Sequence, residues 1–255
     1  MKFLAISDLH LDAVTAGRPR RAEVVEYLRD AHAAAVREDV DAVIFSGDAF
    51  DPGGPLEAYN SALLISALMA FTAQRRLIAI AGNHDVLDTS ELFEGSPITT
   101  LTPLRVAAHY SEDVGLVNVF EYPCFEEIDD YGVLALPYVS RAHSARMPNW
   151  VEEAFGAAAR FAALGGRIIV VAHLVIPGAT LGSESIEMAR GQDQVFPFEA
   201  VAVLKPALVI NGHYHARQEV LGPSDVLIQI PGSPLRFTFG EVEDERKGIL
   251  IAEVT

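Results

Sequence analysis

The chain has 255 residues, half of them apolar, one cysteine (Cys124) and a formal charge of −16. A chain of this size can bury a substantial core; its lone cysteine excludes an intramolecular disulfide and fits a reducing, cytoplasmic compartment. No window approaches the roughly 20 uninterrupted apolar residues that cross a bilayer, and the acidic balance counts against tight, extended nucleic-acid binding, because phosphate contacts dominate that affinity.

The first hundred residues alternate between two periodicities. An apolar run over 2–7 reads as a buried strand, and 20–37 as an amphipathic helix with Val24, Val25, Leu28, Ala31 and Ala35 at helical spacing. A strand over 41–46, a helix over 56–72 and a strand over 76–81 follow. Strands alternating with helices predict a parallel sheet with helical crossovers. In such sheets ligands collect beyond the carboxyl ends of the strands, where Asp8, Asp48 and Asn83 lie.

Past residue 100 strands dominate. Short strands are expected at 106–109, 116–122 and 132–136, with turn signals at Glu112-Asp113 and Asp129-Asp130, and a helix over 150–164 is stopped by Gly165-Gly166. Further strands are expected at 167–172, 207–211, 218–221, 226–230 and 248–253. Two sheets packed face to face between outer helices would use all of these elements. The motifs span nearly the whole chain, so one domain over 1–255 is expected, with no separate capping domain. The longest loop-like stretch, 174–195, carries glycines and serines and separates two polar clusters.

Five strand ends carry metal-ligand residue types: Asp8-Leu9-His10, Gly47-Asp48 followed by Asp51, Gly82-Asn83-His84-Asp85, His173, and Gly212-His213-Tyr214-His215. Singly these are weak signals. A D-x-H triplet is commonly a polar turn, and a lone histidine ending an apolar strand is commonly a satisfied core residue. Five in one chain are hard to attribute to chance. Phosphate esters are anionic and repel a nucleophile unless cations shield them, and a metal pair about 3.5–4 Å apart can hold nucleophile and leaving group together. Such a pair needs a shared carboxylate. Asp48 is the candidate, because Gly47 permits a tight exit from the strand. Imidazole nitrogens mixed with carboxylate and amide oxygens suit Mn²⁺, Fe²⁺, Zn²⁺ or Ni²⁺ better than Ca²⁺. His32, His109 and His143 fall outside the clusters, and surface or turn positions are expected for them.

In this order, D-x-H, G-D-x-x-D, G-N-H-D, H and G-H-x-H resemble the calcineurin-like metallophosphoesterase superfamily. The resemblance runs from Asp8 to His215. It implies a four-layer α/β/β/α sandwich, and two divalent ions with Mn²⁺ preferred. One ion would be held by Asp8, His10, Asp48 and His215, the other by Asp48, Asn83, His173 and His213. A bridging water or hydroxide would attack phosphorus in line. It further implies that His84 donates a proton to the leaving oxygen or stabilises the transition state, with Asp85 hydrogen-bonded to that imidazole. Asp51 is expected to support the site rather than ligate, or to be an ordinary turn residue.

The stretch from Pro231-Gly232-Ser233-Pro234 through Arg236 to Glu241 resembles the segment closing the phosphoesterase domain in the Mre11/SbcD family of DNA repair nucleases. That resemblance implies a minimal nuclease acting on DNA, with Arg236 near substrate. Asp51 stands where that family often has histidine. An ATPase partner is implied by the family alone, and a second copy of the chain is a further candidate partner; no membrane is expected. Two rivals remain: a phosphatase or phosphodiesterase for a small nucleotide, favoured by the acidic charge, and a non-catalytic scaffold for a phosphorylated ligand.

Overall fold

The computed structural model describes residues 1–51, 57–73, 75–87, 92–93, 96–110, 116–146, 149–181, 194–238, 241 and 247–254. In chain order the first half contains β1 (Lys2–Ile6), the hairpin strands β2 (Val14–Thr15) and β3 (Arg18–Pro19), α1 (Arg21–Arg37), β4 (Ala42–Phe45) and α2 (Ala58–Met69). It continues with β5 (Arg76–Ile80), the ribbon strands β6 (Leu92–Phe93) and β7 (Ser96–Pro97), α3 (Thr102–His109) and β8 (Val117–Phe120). The second half contains β9 (Cys124–Ile128), β10 (Tyr131–Leu136), α4 (Arg141–Arg146), α5 (Trp150–Ala163) and β11 (Arg167–Ala172). Helix α6 (Phe198–Leu204) and strands β12 (Leu208–Asn211), β13 (Gln218–Leu221), β14 (Leu227–Ile230) and β15 (Leu250–Glu253) complete it.

Two mixed sheets form the centre, ordered β15-β1-β4-β5-β8 and β13-β14-β12-β11-β10-β9. Within the first, β1, β4, β5 and β8 run parallel and β15 antiparallel; within the second, β10, β11, β12 and β14 run parallel and the outermost strands antiparallel. Period-two geometry sorts each strand between layers. Phe3 and Ala5, Ala42 and Ile44, Ile78 and Ile80 face the second sheet, where they meet Val133, Ala135, Ile169, Val171 and Ile210. Their neighbours Leu4, Ile6, Val43, Phe45, Leu77 and Ala79 face the helix layer of α1 and α2. Leu134, Ile168, Val170 and Val209 face the opposite layer, with Ala154, Ala158 and Val201 of α5 and α6. The architecture is therefore α/β/β/α, and strands covered on both faces explain the uninterrupted apolar runs. In α1, Val24, Leu28, Ala31 and Ala35 are buried at steps of four, three and four. Truncating Leu28 to alanine would cost about 2–5 kcal/mol.

The sequence reading departs from the structure where segments are short. The strand expected over 106–109 is the end of helix α3: Pro103 occupies the first turn, and Leu101, Leu104 and Ala108 are buried at helical spacing. Strand β9 lies on a sheet edge with Glu126 and Glu127 exposed, so it lacks the alternation that marks a half-buried strand. Helices α4 and α6, six and seven residues long, were too short for a helical period to register. His143 is fully buried rather than at the surface, with Nδ1 3.0 Å from Ser140 Oγ. Residues 112–113 and most of the long loop, 182–193, lie outside the described residues. Among the described residues no helix is long and apolar enough to cross a membrane.

Candidate metal centre

The parallel strands deliver the candidate ligands to one end of the sandwich. Asp8 and His10 follow β1, Asp48 follows β4, and Asn83 and His84 follow β5; from the second sheet, His173 follows β11, while His213 and His215 follow β12. The chain leaves these strands sharply. Asp8, His10, Asp48 and His213 have φ of 51°, 41°, 58° and 78°, a left-handed conformation that costs non-glycine residues of order 1–3 kcal/mol each. Main-chain bonds hold them there: Asp8 N–H donates to the Gly47 carbonyl (2.9 Å), His10 N–H to the Asp48 carbonyl (3.2 Å) and His213 N–H to Asp8 Oδ1 (3.1 Å). Gly82 is required by space. A Cβ there would lie 2.1 Å from Asp48 Oδ1 and 2.6 Å from the Asp48 nitrogen.

The buried candidate ligands gather into two groups, and His10 also meets Asp51 and His84 in a third, partly open one. In the outer one, ligand atoms of Asp8, His10 and His215 lie within 4.8 Å of one another, and those of Asp48, His173 and His213 do the same in the inner one. Asn83 Oδ1 joins the inner group, 3.0 Å from His173 Nε2 and 3.0 Å from His213 Nδ1. Asp48 Oδ2 stands between the groups, 3.2 Å from His173 Nε2 and 4.0 Å from His10 Nε2. Two main-chain carbonyls fix tautomers. His173 Nδ1 donates to Ser46 O (2.7 Å) and His10 Nδ1 to Phe50 O (3.2 Å), which leaves each Nε2 facing the centre.

Divalent cations fit this donor set. Asp8 Oδ2 is buried with no hydrogen-bond partner among the described residues, and His10 Nε2 and His215 Nε2 face each other at 3.1 Å. An orphaned carboxylate oxygen beside two converging imidazole nitrogens is satisfied by a cation. The protonation pattern without metal carries the same message. Burial pushes the Asp8 carboxyl up to about 7, with Asp48 adding to the shift. Burial also drives His213 down to about 3 and His10 well below its ordinary range, so both imidazoles are neutral donors. Burial opposes charge on Asp48 and His173 too, but their mutual attraction prevails: Asp48 is held well below the usual carboxylate range and His173 is raised to about 9. The proton on His173 Nε2 stands where an inner cation would.

His84 lies at the mouth, half-buried, its ring centroid 5.0 Å from that of His10 and its N–H donating to Asp48 Oδ1 (2.9 Å). The expected bond between Asp85 and this imidazole is not formed. The Asp85 carboxylate is fully buried and accepts the N–H groups of Asp48 (2.8 Å), Ala49 (2.9 Å) and Gly82 (2.8 Å) and the Thr100 hydroxyl. It therefore ties the β4 and β5 loops together and has no oxygen left for His84. Asp51 is nearer that ring, its Oδ1 3.8 Å from His84 Nδ1. Arg236 is exposed, and its carbonyl accepts from the Arg20 guanidinium (2.9 Å).

Three residues with no role expected from the sequence, Phe237 and Glu241 of the closing segment and Lys247 just beyond it, border the outer group. The Phe237 ring packs edge-on against His10 (5.4 Å) and His215 (5.9 Å). Glu241 is buried with Oε1 3.8 Å from His215 Nδ1, and Lys247 Nζ donates to Glu241 Oε2 (2.6 Å), the His215 carbonyl (2.8 Å) and Ser233 Oγ (2.9 Å). Burial alone would raise the Glu241 carboxyl, yet His215 and Lys247 hold it down at about 2. No local pattern in the sequence marks these roles, since Glu241 and Lys247 stand among the other charged residues of 241–247.

The family model for calcineurin-like phosphoesterases matches residues 1–217. The chain is similar to the SbcD component of the nuclease SbcCD from Bacillus subtilis, 24% identical over 254 residues that cover 94% of this chain and 63% of the relative. It is also similar to the corresponding component from Rhodobacter capsulatus, 27% identical over 270 residues that cover 95% of this chain and 64% of the relative. It thus spans a little under two thirds of the length of these relatives. A solved structure of a dimetal phosphatase from Danio rerio shares the fold, with a TM-score of 0.59 at 17% identity, covering 100% of this chain and 92% of that one.

Proposed function

This chain belongs to the calcineurin-like phosphoesterase family, and from that premise we propose that it is a Mn²⁺-preferring dinuclear phosphodiesterase of the SbcD type that cleaves DNA. The observation that carries the dinuclear part is Asp48 Oδ2, set 3.2 Å from His173 Nε2 and 4.0 Å from His10 Nε2, between two groups of donors. Asp8, His10, Asp48 and His215 are the proposed ligands of the outer ion, and Asp48, Asn83, His173 and His213 those of the inner one. When bound, the pair would shield phosphate charge and activate a water for in-line attack.

The chain's own residues divide the remaining tasks. The Ser46 and Phe50 carbonyls each hold a proton on Nδ1 of His173 and His10, so that Nε2 is the nitrogen each ring offers to a cation. His84 is proposed to protonate the leaving oxygen, since its ring is at the mouth and its main-chain N–H is already committed to Asp48. Asp51 supports that imidazole from solvent, while Asp85 serves the loops. The likeness to SbcD over most of this chain, and the packing of Phe237, Glu241 and Lys247 around His215, support DNA as substrate. An ATPase partner and a second copy of the chain are carried as candidate partners by that likeness. The net charge of −16 favours the rival substrate class, a small phosphate ester.

Assaying the Mn²⁺-loaded protein on single-stranded DNA, double-stranded DNA, cyclic nucleotides and a phosphomonoester separates these readings. Cleavage of DNA is expected. Intact DNA beside turnover of a small ester would overturn the nuclease assignment and leave the phosphoesterase standing, whereas no turnover of any ester favours the scaffold.

A further inference from the structure

The outer group depends on a part of the chain that supplies no ligand. His215 presents Nε2 to His10, 3.1 Å away, and turns Nδ1 to the other side, where Glu241 Oε1 lies at 3.8 Å. The Glu241 carboxylate is itself held from three directions, by the N–H groups of Phe237 (2.8 Å) and Thr238 (3.3 Å) on Oε1 and by Lys247 Nζ (2.6 Å) on Oε2. The same ammonium group holds the His215 carbonyl (2.8 Å) and Ser233 Oγ (2.9 Å), and Ser233 Oγ donates to the Leu235 carbonyl (2.8 Å). One lysine thus ties the main chain of His215 to the acid facing its ring. Phe237 closes the arrangement from the side, its ring against both His10 and His215.

We propose that Glu241, anchored by Lys247, is a positioning residue for the outer metal: it fixes the tautomer and tilt of the His215 ring so that Nε2 presents its lone pair to the ion. A ligating imidazole must carry its proton on the nitrogen away from the metal, and a carboxylate facing that nitrogen favours this tautomer and raises the basicity of the other. The 3.8 Å gap is one that a small rotation of the ring closes once Nε2 is drawn toward a cation. His173 of the inner group and His10 of the outer one use a different device for the same purpose, a main-chain carbonyl on Nδ1, so the carboxylate's positioning role is specific to His215. This inference rests on the dinuclear reading above.

The test is a metal titration, read by calorimetry and by manganese electron paramagnetic resonance, of wild-type, Glu241→Gln and Lys247→Gln proteins. Wild-type protein is expected to bind two equivalents; if it binds none, the dinuclear reading fails before the inference is reached. Glu241→Gln keeps the size and the acceptor for the Phe237 and Thr238 N–H groups. It is expected to weaken one equivalent about 10–100-fold and leave the other unchanged. Lys247→Gln, which loses the anchor but keeps the acid, is expected to weaken the same equivalent by a smaller factor, and it decides the matter if Glu241→Gln does not fold. Two equivalents at wild-type affinity in a folded variant, or equal weakening of both, would overturn the proposal.

Discussion

The inner and outer ligand groups are built on different foundations. His173 is clamped inside the sandwich: its Nδ1 donates to Ser46 of the opposite sheet, and Gly47, Gly82 and Gly212 press so closely on the ring that any Cβ there would collide with it. The outer group also starts from strand ends, yet its far wall is loop: Phe237 against both rings, Glu241 behind His215, Lys247 on its carbonyl. The inner half cannot adjust without moving two sheets, whereas one segment of chain sets the outer half. Metal affinity and sensitivity to mutation should follow that division.

Asp48→Asn attacks what the halves share and has the largest expected effect. It removes the charge facing both groups, so metal analysis should find neither ion retained at the concentration that saturates wild type, and activity should disappear. Retention of one equivalent would assign Asp48 to a single half. His84→Ala comes next, because alanine keeps the N–H that donates to Asp48 Oδ1. Both ions should remain while turnover falls about 10²–10⁴-fold. Asp85→Asn should act on the loops instead. An amide cannot accept from four donors as the carboxylate does, and losing hydrogen bonds to a charged acceptor costs about 1.5–3 kcal/mol. A lower melting temperature in metal-free protein is the expected readout, at about 2–4 °C per kcal/mol for a chain of this size.

What was legible in the sequence follows the same division. The five strand ends were readable because a β-branched apolar run stopping at glycine, aspartate or histidine is a local signal, and the sheets then bring those ends together. Asp85 was misjudged because its neighbour His84 suggested a pair, when burial turns the carboxylate inward onto N–H groups of Asp48, Ala49 and Gly82. Phe237, Glu241 and Lys247 had no local signal for their roles. Their contacts with His10 and His215 are made by a loop returning from far along the chain, and only the fold sets which of its side chains faces the site. Helix α3 shows the limit at short range, since Val106, Ala107, Ala108 and His109 are too few to tell a strand period from a helical one.

The halves should also differ in pH response. In metal-free protein the His173 proton contributes stability that is complete below 6.5 and lost as pH rises through about 9. The proton on Asp8 behaves likewise, its contribution complete below 3.8 and lost by about 7, because burial raises rather than lowers this carboxyl. A cation must displace each proton to bind. Affinity of the outer equivalent should therefore rise up to tenfold per pH unit and level off near 7, while that of the inner one keeps rising toward 9. Titrations from pH 6 to 9 in buffers of different ionisation enthalpy count the protons released. Identical pH profiles for the two equivalents would break the distinction.

Asp51→Asn should have the smallest effect. Its carboxylate lies 3.8 Å from His84 Nδ1 with the side chain 52% exposed, and an ion pair so open to water is worth about 0–1 kcal/mol. Asparagine preserves the size and the N–H that donates to Asp12 Oδ1. Turnover should fall by no more than about fivefold, the factor that 1 kcal/mol corresponds to, with metal content and melting temperature unchanged. A loss as large as that of His84→Ala would mean that the ion pair tightens and loses water when substrate binds. The outer half would then owe its chemistry, as well as its shape, to residues that the metal-free geometry leaves partly open to solvent.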